Sequence, residues 1–585
     1  MLARSTTTTG VRNHLTLRTG ILGGAALVVV GASVWIAVDK GSPQSEDRTA
    51  AQPSTVDDGT AQVSDSIQLR VVNELAGIQF THVAQANYEL AGIMSGGGGF
   101  FDYDGDGYLD IFLVQSGTLG QDQPNSTSWL YRNNGDGTFT DVTDESGAGV
   151  GGFGMGCAAA DIDDDGDVDL YITRLGTDVL LVNDGHGGFV DRTEAAGLAT
   201  PGFSTSAAFL DIDRDGLPDL YVARYVRVTP STARSCFGID GERDFCNPTV
   251  YPAQTDRLYR NLGNGRFEDI TSAAGIDAVA GYGLGLLASD FDGDGLVDIY
   301  VANDQSPAFL WHNRGDGTFD EIAVIHGCAF NGNGEAIAGM GTAAADFDAD
   351  GDLDLFVTNI SHKSNLFLRN SGGLFEDVSH QWGGFSWLVP FTGFGTVAVD
   401  LDLDGTRELF IANGAVARAG SGYGQPDQLL QLDTNGTFRD ISGSLPLQAR
   451  QPAISRGVAH GDYDNDGDID LLVMHSNGPA LLIRNDLQSS NHWLIVRTES
   501  SKGGGSVLNT RIVVDDGRRR YVAEVRPQDS YLSTSDPRVH FGLGDATIVR
   551  LIVSWPDGLT EAFADVGVDQ IFTVRRGSGE TVTEP

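Results

Sequence analysis

Short apolar runs follow one another along most of the chain, each closed by Gly, Asn or Asp. Four of them stand in a row in "GMGCAAADI" (from Gly154), "DLYIT" (from Asp169), "LLVN" (from Leu180) and "GHGGFVDRT" (from Gly185). Short strands separated by such turns predict antiparallel β-structure. The same set of four recurs seven times, which predicts an all-β fold: a seven-bladed β-propeller over 67–488, followed by a small β-rich domain over 489–577 and a tail, 578–585. The seventh unit ends at "ALLIRND" without a fourth run. "AGIQFTHVAQ" (from Ala76) fits that slot, so the segment around Phe80 is expected to pair near Ala480–Arg484 and close the ring without an open sheet edge.

The polar positions repeat as strictly as the apolar ones. Between the first and second runs of each unit lies D-x-D-x-D-G-x-x-[DE], at intervals of 59, 50, 79, 56, 54 and 62 residues. Its sixth position is always Gly: Gly107, Gly166, Gly216, Gly295, Gly351, Gly405 and Gly467. The acidic positions of the first three loops are Asp102, Asp104, Asp106 and Asp110; Asp161, Asp163, Asp165 and Asp169; and Asp211, Asp213, Asp215 and Asp219. The next two carry Asp290, Asp292, Asp294 and Asp298, and Asp346, Asp348, Asp350 and Asp354. The last two carry Asp400, Asp402, Asp404 and Glu408, and Asp462, Asp464, Asp466 and Asp470.

Two carboxylates about 4 Å apart repel by roughly 4 kcal/mol at an effective dielectric near 20, so four crowded into nine residues need a cation. Alternating carboxylates that converge on a curled chain, with Gly permitting the sharp turn and a carbonyl at position 7, are oxygen ligands for a hard ion. Up to seven Ca²⁺ sites are expected, in preference to Mg²⁺ or Mn²⁺, with the loop ending in Glu408 the weakest. The loops also explain the charge of −43: without their 28 carboxylates, 52 acidic residues remain against 37 basic ones. Such a balance argues against nucleic acid as a partner.

The N-terminus has a different pattern. Arg4, Arg12 and Arg18 precede an uncharged run from Ile21 to Val38, long enough at about 27 Å to span a bilayer. Residues 1–40 are expected to form a single membrane-anchoring helix with the bulk of the chain outside the cytoplasm. A cleaved signal peptide, and hence a secreted protein, is the alternative. Residues 41–66 are polar and Pro/Ser/Thr-bearing, as a flexible tether would be.

The repeats resemble the FG-GAP/VCBS repeats of integrin α-type propellers. "NHWLIVRT" (from Asn491), "SYLSTSDPRVHFGLG" (from Ser530) and "SWPDGLTEAF" (from Ser554) resemble the ASPIC/UnbV domain. Together they are similar to the cartilage acidic protein family and its bacterial relatives, a resemblance that implies calcium binding and extracellular interaction. "KGGGSVLNTRI" (from Lys502) departs from the family's usual segment there. An insertion between Tyr225 and Arg257 carries Cys236 and Cys246, which outside the cytosol are expected to pair as a disulfide, free thiols being the alternative. Cys157 and Cys328 are read as buried apolar residues.

No catalytic constellation stands out: there is no H-E-x-x-H and no P-loop, and the G-x-G clusters recur before strands rather than opening helices. Trp129, Tyr259 and Trp311 are read as core residues at one strand position, and Trp382 and Trp387 as a contact surface. The expected role is binding or adhesion toward a protein or glycan ligand, with the insertion as recognition element. An enzyme with a pocket at the propeller mouth and an envelope scaffold are the alternatives.

Overall fold

The computed structural model describes residues 67–582, apart from 86–87, 119–125, 229–233, 239, 383–387, 420–421, 434 and 503. The expected anchor and tether lie outside the described residues, as does Trp387. Among the described residues no helix is long and apolar enough to cross a membrane.

Among the described residues the strands fall, in sequence order, into seven antiparallel four-stranded units, here called blades; the second and third are joined at one end, where Pro201–Phe203 also pairs with Leu175–Thr177. Their innermost strands are Gly98–Phe101, Phe153–Ala160, Pro201–Leu210, Gly283–Ser289, Thr342–Ala345, Gly393–Val399 and Ser455–Gly461. Each touches the next, and the last touches the first, so the sheets form a closed β-propeller. The small residues of these strands answer to crowding around the axis. A Cβ on Gly341 would lie 2.0 Å from the Phe394 carbonyl oxygen of the next blade. In five blades the register of the inner strand shifts against the second strand: at the G-x-G stretch in three, as between Gly154 and Cys157, and at Ser204–Ala207 and Ser455–Val458 in the other two. The extra residue bends the inner strand.

The ring closes, but not through Phe80. Leu69–Val71 pairs antiparallel with Ile483–Asn485 as the fourth strand of blade 7. A one-turn helix, Asn73–Ala76, follows, and Gly77 ends it with φ 82°. The same strand, turn and left-handed Gly recur at Phe139–Asp141, Thr143–Ser146 and Gly147, and at Phe189–Asp191, Thr193–Ala196 and Gly197. The Phe of F-x-[DE] is thus replaced here by Leu69, and the shared signal is the helical turn with its Gly. Phe80 instead packs between blades 7 and 1 in the core with Tyr463 and Leu482. Beside it, Thr81 makes a single bridge to Pro479, and Ala84–Gln85 runs parallel to Gly117–Thr118.

The C-terminal domain has two sheets. His492–Glu499 pairs with Val539–Gly544 and with Gln570–Arg575, while Arg511–Asp515 pairs with Arg520–Glu524 and Ile548–Ser554. Thr560–Gly567 and Glu580–Thr581 complete the second sheet. Between Gln528 and Asp536 the chain leaves this domain and enters the propeller's axis. Ser533 and Thr534 pair with Gly98 and Gly99 of blade 1. Ser530 exchanges backbone hydrogen bonds with Thr342 of blade 5, and Leu532 accepts from the Cys157 N–H of blade 2. Tyr531 is fully buried, and its hydroxyl donates to the Met94 carbonyl at 2.7 Å.

Candidate metal-binding loops

All seven acidic loops join an innermost strand to the second strand of its blade. Their curl comes from two left-handed residues. Position 4 has φ between 57° and 76°, whether it is Gly105 and Gly293 or Asp164, Arg214, Ala349, Leu403 and Asn465. Position 6 is the invariant Gly, with φ from 82° to 99°. The Gly N–H donates to the first carboxylate of its own loop, as from Gly107 to Asp102 Oδ2 at 3.0 Å and from Gly467 to Asp462 Oδ2 at 2.9 Å. This holds the first carboxylate of each loop in place within its own turn.

The ninth position opens the second strand and is buried in every blade. Asp110 Oδ2 accepts from the Tyr103 N–H at 2.9 Å, and its Oδ1 accepts from the Asn133 N–H at 2.7 Å. Ligand oxygens lie within 4.8 Å of one another in the sets Asp102, Asp104 and Asp110; Asp161, Asp163 and Asp169; Asp211, Asp213 and Asp219; and Asp290, Asp292 and Asp294. Burial, and then neighbouring carboxylates in the same loop, raise the ninth carboxyl to about 9 at Asp110 and about 8 at Asp169, Asp219, Asp298 and Asp354. Burial likewise pushes Glu408 and Asp470 well up. Asp163 Oδ1, Asp346 Oδ1, Asp464 Oδ1 and Glu408 Oε1 are buried without a hydrogen-bond donor. Buried oxygens without donors, converging in an all-oxygen set, fit a hard divalent cation.

An asparagine at the end of the third strand ties these loops into a ring. Its backbone N–H donates to the ninth carboxylate of its own blade, and its side-chain amide donates to the position-2 carbonyl of the preceding blade's loop. Asn133 thus reaches Tyr463, Asn183 Tyr103, Asn261 Ile162, Asn313 Ile212, Asn370 Phe291 and Asn485 Leu401, all at 2.7–2.9 Å. In blade 6 Leu432 stands in this place. Glu408 keeps the bond from the position-2 N–H, here Leu401 at 2.9 Å, but its other oxygen, which the third-strand N–H reaches in the other blades, has no hydrogen-bond donor. The recurring Asn is plain in the sequence; its reach into the neighbouring loop is not. Another residue that spacing did not reveal is His312. Its Nδ1 lies 3.2 Å from Asp298 Oδ1 and 3.4 Å from Asp292 Oδ2.

The C-terminal domain lies against this loop end. Gly505 N–H donates to Asp161 Oδ2 at 2.9 Å, and the Lys502 ammonium is 2.5 Å from Asp164 Oδ2. The segment that departs from the family pattern therefore touches the second loop. Arg538 donates to the Asp462 carbonyl and to Asn465 Oδ1, both at 2.7 Å, and Arg511 donates to the Gly351 carbonyl at 2.9 Å.

At the opposite end, Cys236 and Cys246 form a disulfide. The insertion that carries it reaches from blade 3 to blade 6, where Tyr423 donates its hydroxyl to Asp244 Oδ1 at 2.7 Å. Cys246 and Tyr251 join one apolar cluster with Phe153, Phe203, Phe394 and Tyr531. Cys157 and Cys328 are buried and free. Trp382 is not a surface residue: it packs with Phe347, Phe367 and Phe438 in the core between blades 5 and 6. Tyr259 and Trp311 are core, as expected, but Tyr131 holds the matching position in blade 1; Trp129 stands two residues earlier and is partly exposed.

A closed propeller with an acidic, Gly-bearing loop after every innermost strand is the architecture of an FG-GAP protein. FG-GAP-like repeats match residues 102–172, 161–222, 240–301, 290–357, 346–411 and 400–473, and an ASPIC and UnbV domain matches 501–581. The chain belongs to the FG-GAP-like repeat family. It is 28% identical over 360 residues to cartilage acidic protein 1 of Xenopus tropicalis, covering 58% of this chain and 53% of the relative. Against the Homo sapiens protein of that name it is 28% identical over 300 residues, covering 50% of this chain and 43% of the relative. The chain thus spans about half the length of the curated relatives it matches. A solved structure titled "YCF48 bound to D1 peptide" aligns with 74% of this chain and 100% of its own, at 12% identity and a TM-score of 0.39.

Proposed function

We propose that this chain is a calcium-loaded propeller that works outside the cytoplasm as an interaction module for a protein or glycan ligand. The observation that carries the calcium reading is the set of buried loop oxygens without donors, repeated from blade to blade. The disulfide supports an oxidising compartment, and so does the uncharged run from Ile21 to Val38 as an export or anchoring segment. Binding is favoured over catalysis at the propeller mouth because the axis is filled: residues 528–536 enter from the loop end, and the disulfide insertion covers the other.

Calcium that binds only the folded chain stabilises it by mass action. Exhaustive chelation should release the ion, measured by elemental analysis, and lower the melting temperature; added Ca²⁺ should restore it. A chain that contains no calcium, or melts identically after chelation, overturns the calcium reading. Capture from the native cell envelope should depend on residues 231–250. If deleting them spares capture while calcium content and melting are kept, the insertion is not the recognition element.

A further inference from the structure

The end of blades 2 and 3 farthest from the acidic loops holds an open pocket of about 450 Å³. Its walls come from the start of the innermost strand of blade 3 (Pro201, Gly202), the end of the second strand (Arg224) and the start of the third (Arg257), with Arg227 beyond. Three of the residues around it are arginines, and none is Asp or Glu. In a chain with 80 acidic and 37 basic residues that lining is the opposite of what composition provides; the nearby carboxylates do not line the pocket, Asp178 and Asp256 lying within reach of the Arg224 charge and Asp269 beside Arg257.

The arginines are held rather than merely present. Arg224 is 3% exposed, and its guanidinium lies flat on Gly202, where a Cβ would come within 2.9 Å of Arg224 Cζ. One of its nitrogens donates to the Thr200 carbonyl at 3.1 Å, and its Nε is buried without an acceptor. Arg257 Nε is likewise buried without an acceptor, and its nearest carboxylate, Asp269, stands 3.6 Å from another of its nitrogens. Arg227 is exposed at the rim. Asp256 lies close by but is committed elsewhere, accepting from the Arg224 backbone N–H at 2.7 Å and from the Tyr221 hydroxyl at 2.8 Å.

A buried guanidinium with unused donors is costly unless an acceptor completes it. The planar fork of Arg matches carboxylate, sulfate and phosphate oxygens. We propose that this pocket is an oxyanion-binding site, which takes the carboxylate, sulfate or phosphate group of a small acidic ligand on Arg224, Arg227 and Arg257. The long-range field of the protein repels anions, so affinity here comes from short-range hydrogen bonds in the pocket. The site shares no residue with the acidic loops and stands whether or not they hold calcium.

The test uses the full chain in Ca²⁺, with isothermal titration of sulfate, phosphate and glucuronate at constant ionic strength set by chloride. Saturable binding of at least one probe is expected. Arg257→Gln and Arg227→Gln should each weaken it by about tenfold or more, the loss of one charge-assisted hydrogen-bond set. Both should keep the calcium content and melting temperature of the wild type. Arg520→Gln, on an exposed side chain of the C-terminal domain, should change nothing. Preference for glucuronate over both inorganic ions marks an acidic sugar as the ligand class, and preference for sulfate or phosphate marks the free or esterified ion; either outcome supports the site. No saturable binding, binding indifferent to Arg227→Gln and Arg257→Gln, or equal loss in Arg520→Gln overturns it.

Discussion

Two residues carry more than their own position. Asn261 is 2% exposed; its amide donates to Ile162 and Pro218, and its Oδ1 accepts from the Gly263 N–H. Asn261→Leu removes all three bonds and takes the donor from the buried Ile162 carbonyl and the half-buried Pro218 carbonyl, at about 2–3 kcal/mol. Denaturant unfolding in excess Ca²⁺ should show that loss, with hydrogen exchange rising in the second loop as well as the third. Exchange confined to the third loop would mean the neighbouring loops are independent. His82 is the second case. Asn477 N–H donates to its Nδ1, so Nε2 carries the hydrogen toward Ser116 Oγ, 3.0 Å away. Burial, and then the charge of Arg456, hold the ring down at about 3. The folded chain keeps it neutral where the unfolded chain, near 6.5, takes up a proton. Its contribution is therefore complete above pH 6.5 and is lost as pH falls toward 3. The stability gap between wild type and His82→Gln should narrow by about 2 kcal/mol between pH 7 and pH 5; parallel pH profiles would contradict the assignment.

Among the elements, the closing strand is the one the sequence pattern misplaced. The seven-fold alternation of apolar runs, turns and acidic loops was legible because each is set by neighbours within a dozen residues. The closing strand is set by a partner more than 400 residues away, and Leu69 replaces the aromatic residue that marks the other fourth strands. Phe80, the more conspicuous side chain, fills the wedge between the first and last blades instead. Removing residues 1–72 takes Leu69–Val71 from the sheet and exposes the edge at Leu481–Asn485. The shortened chain should melt lower and associate at concentrations where a chain beginning at residue 67 stays monodisperse, read by light scattering, since a bare sheet edge templates pairing. Unchanged melting and scattering would show that Thr81 and its bridge to Pro479 suffice to close the ring.

At the scale of the whole molecule, the propeller and the C-terminal domain are one packed body rather than two modules on a string. The axis is occupied by residues 528–536, and the loop face is covered by contacts from Gly505, Arg511 and Arg538. The sequence by itself determined the strands, the turns and the candidate ligands at positions 1, 3, 5 and 9, because local spacing and Gly placement dictate them; it left Cys236 and Cys246 open between a disulfide and two thiols, and the structure joins them. Only the tertiary structure decided which strand closes the ring, that Trp382 is core, that Asn261 and its counterparts bind the next loop, and that Tyr531 lies on the axis. Those choices rest on contacts between residues far apart in the chain, whose outcome depends on how seven sheets fit around one centre. The gathering of Arg224, Arg227 and Arg257 at the far end of blades 2 and 3 is of the same kind: composition gives the chain its negative charge, and packing alone lines one pocket with three arginines and no carboxylate.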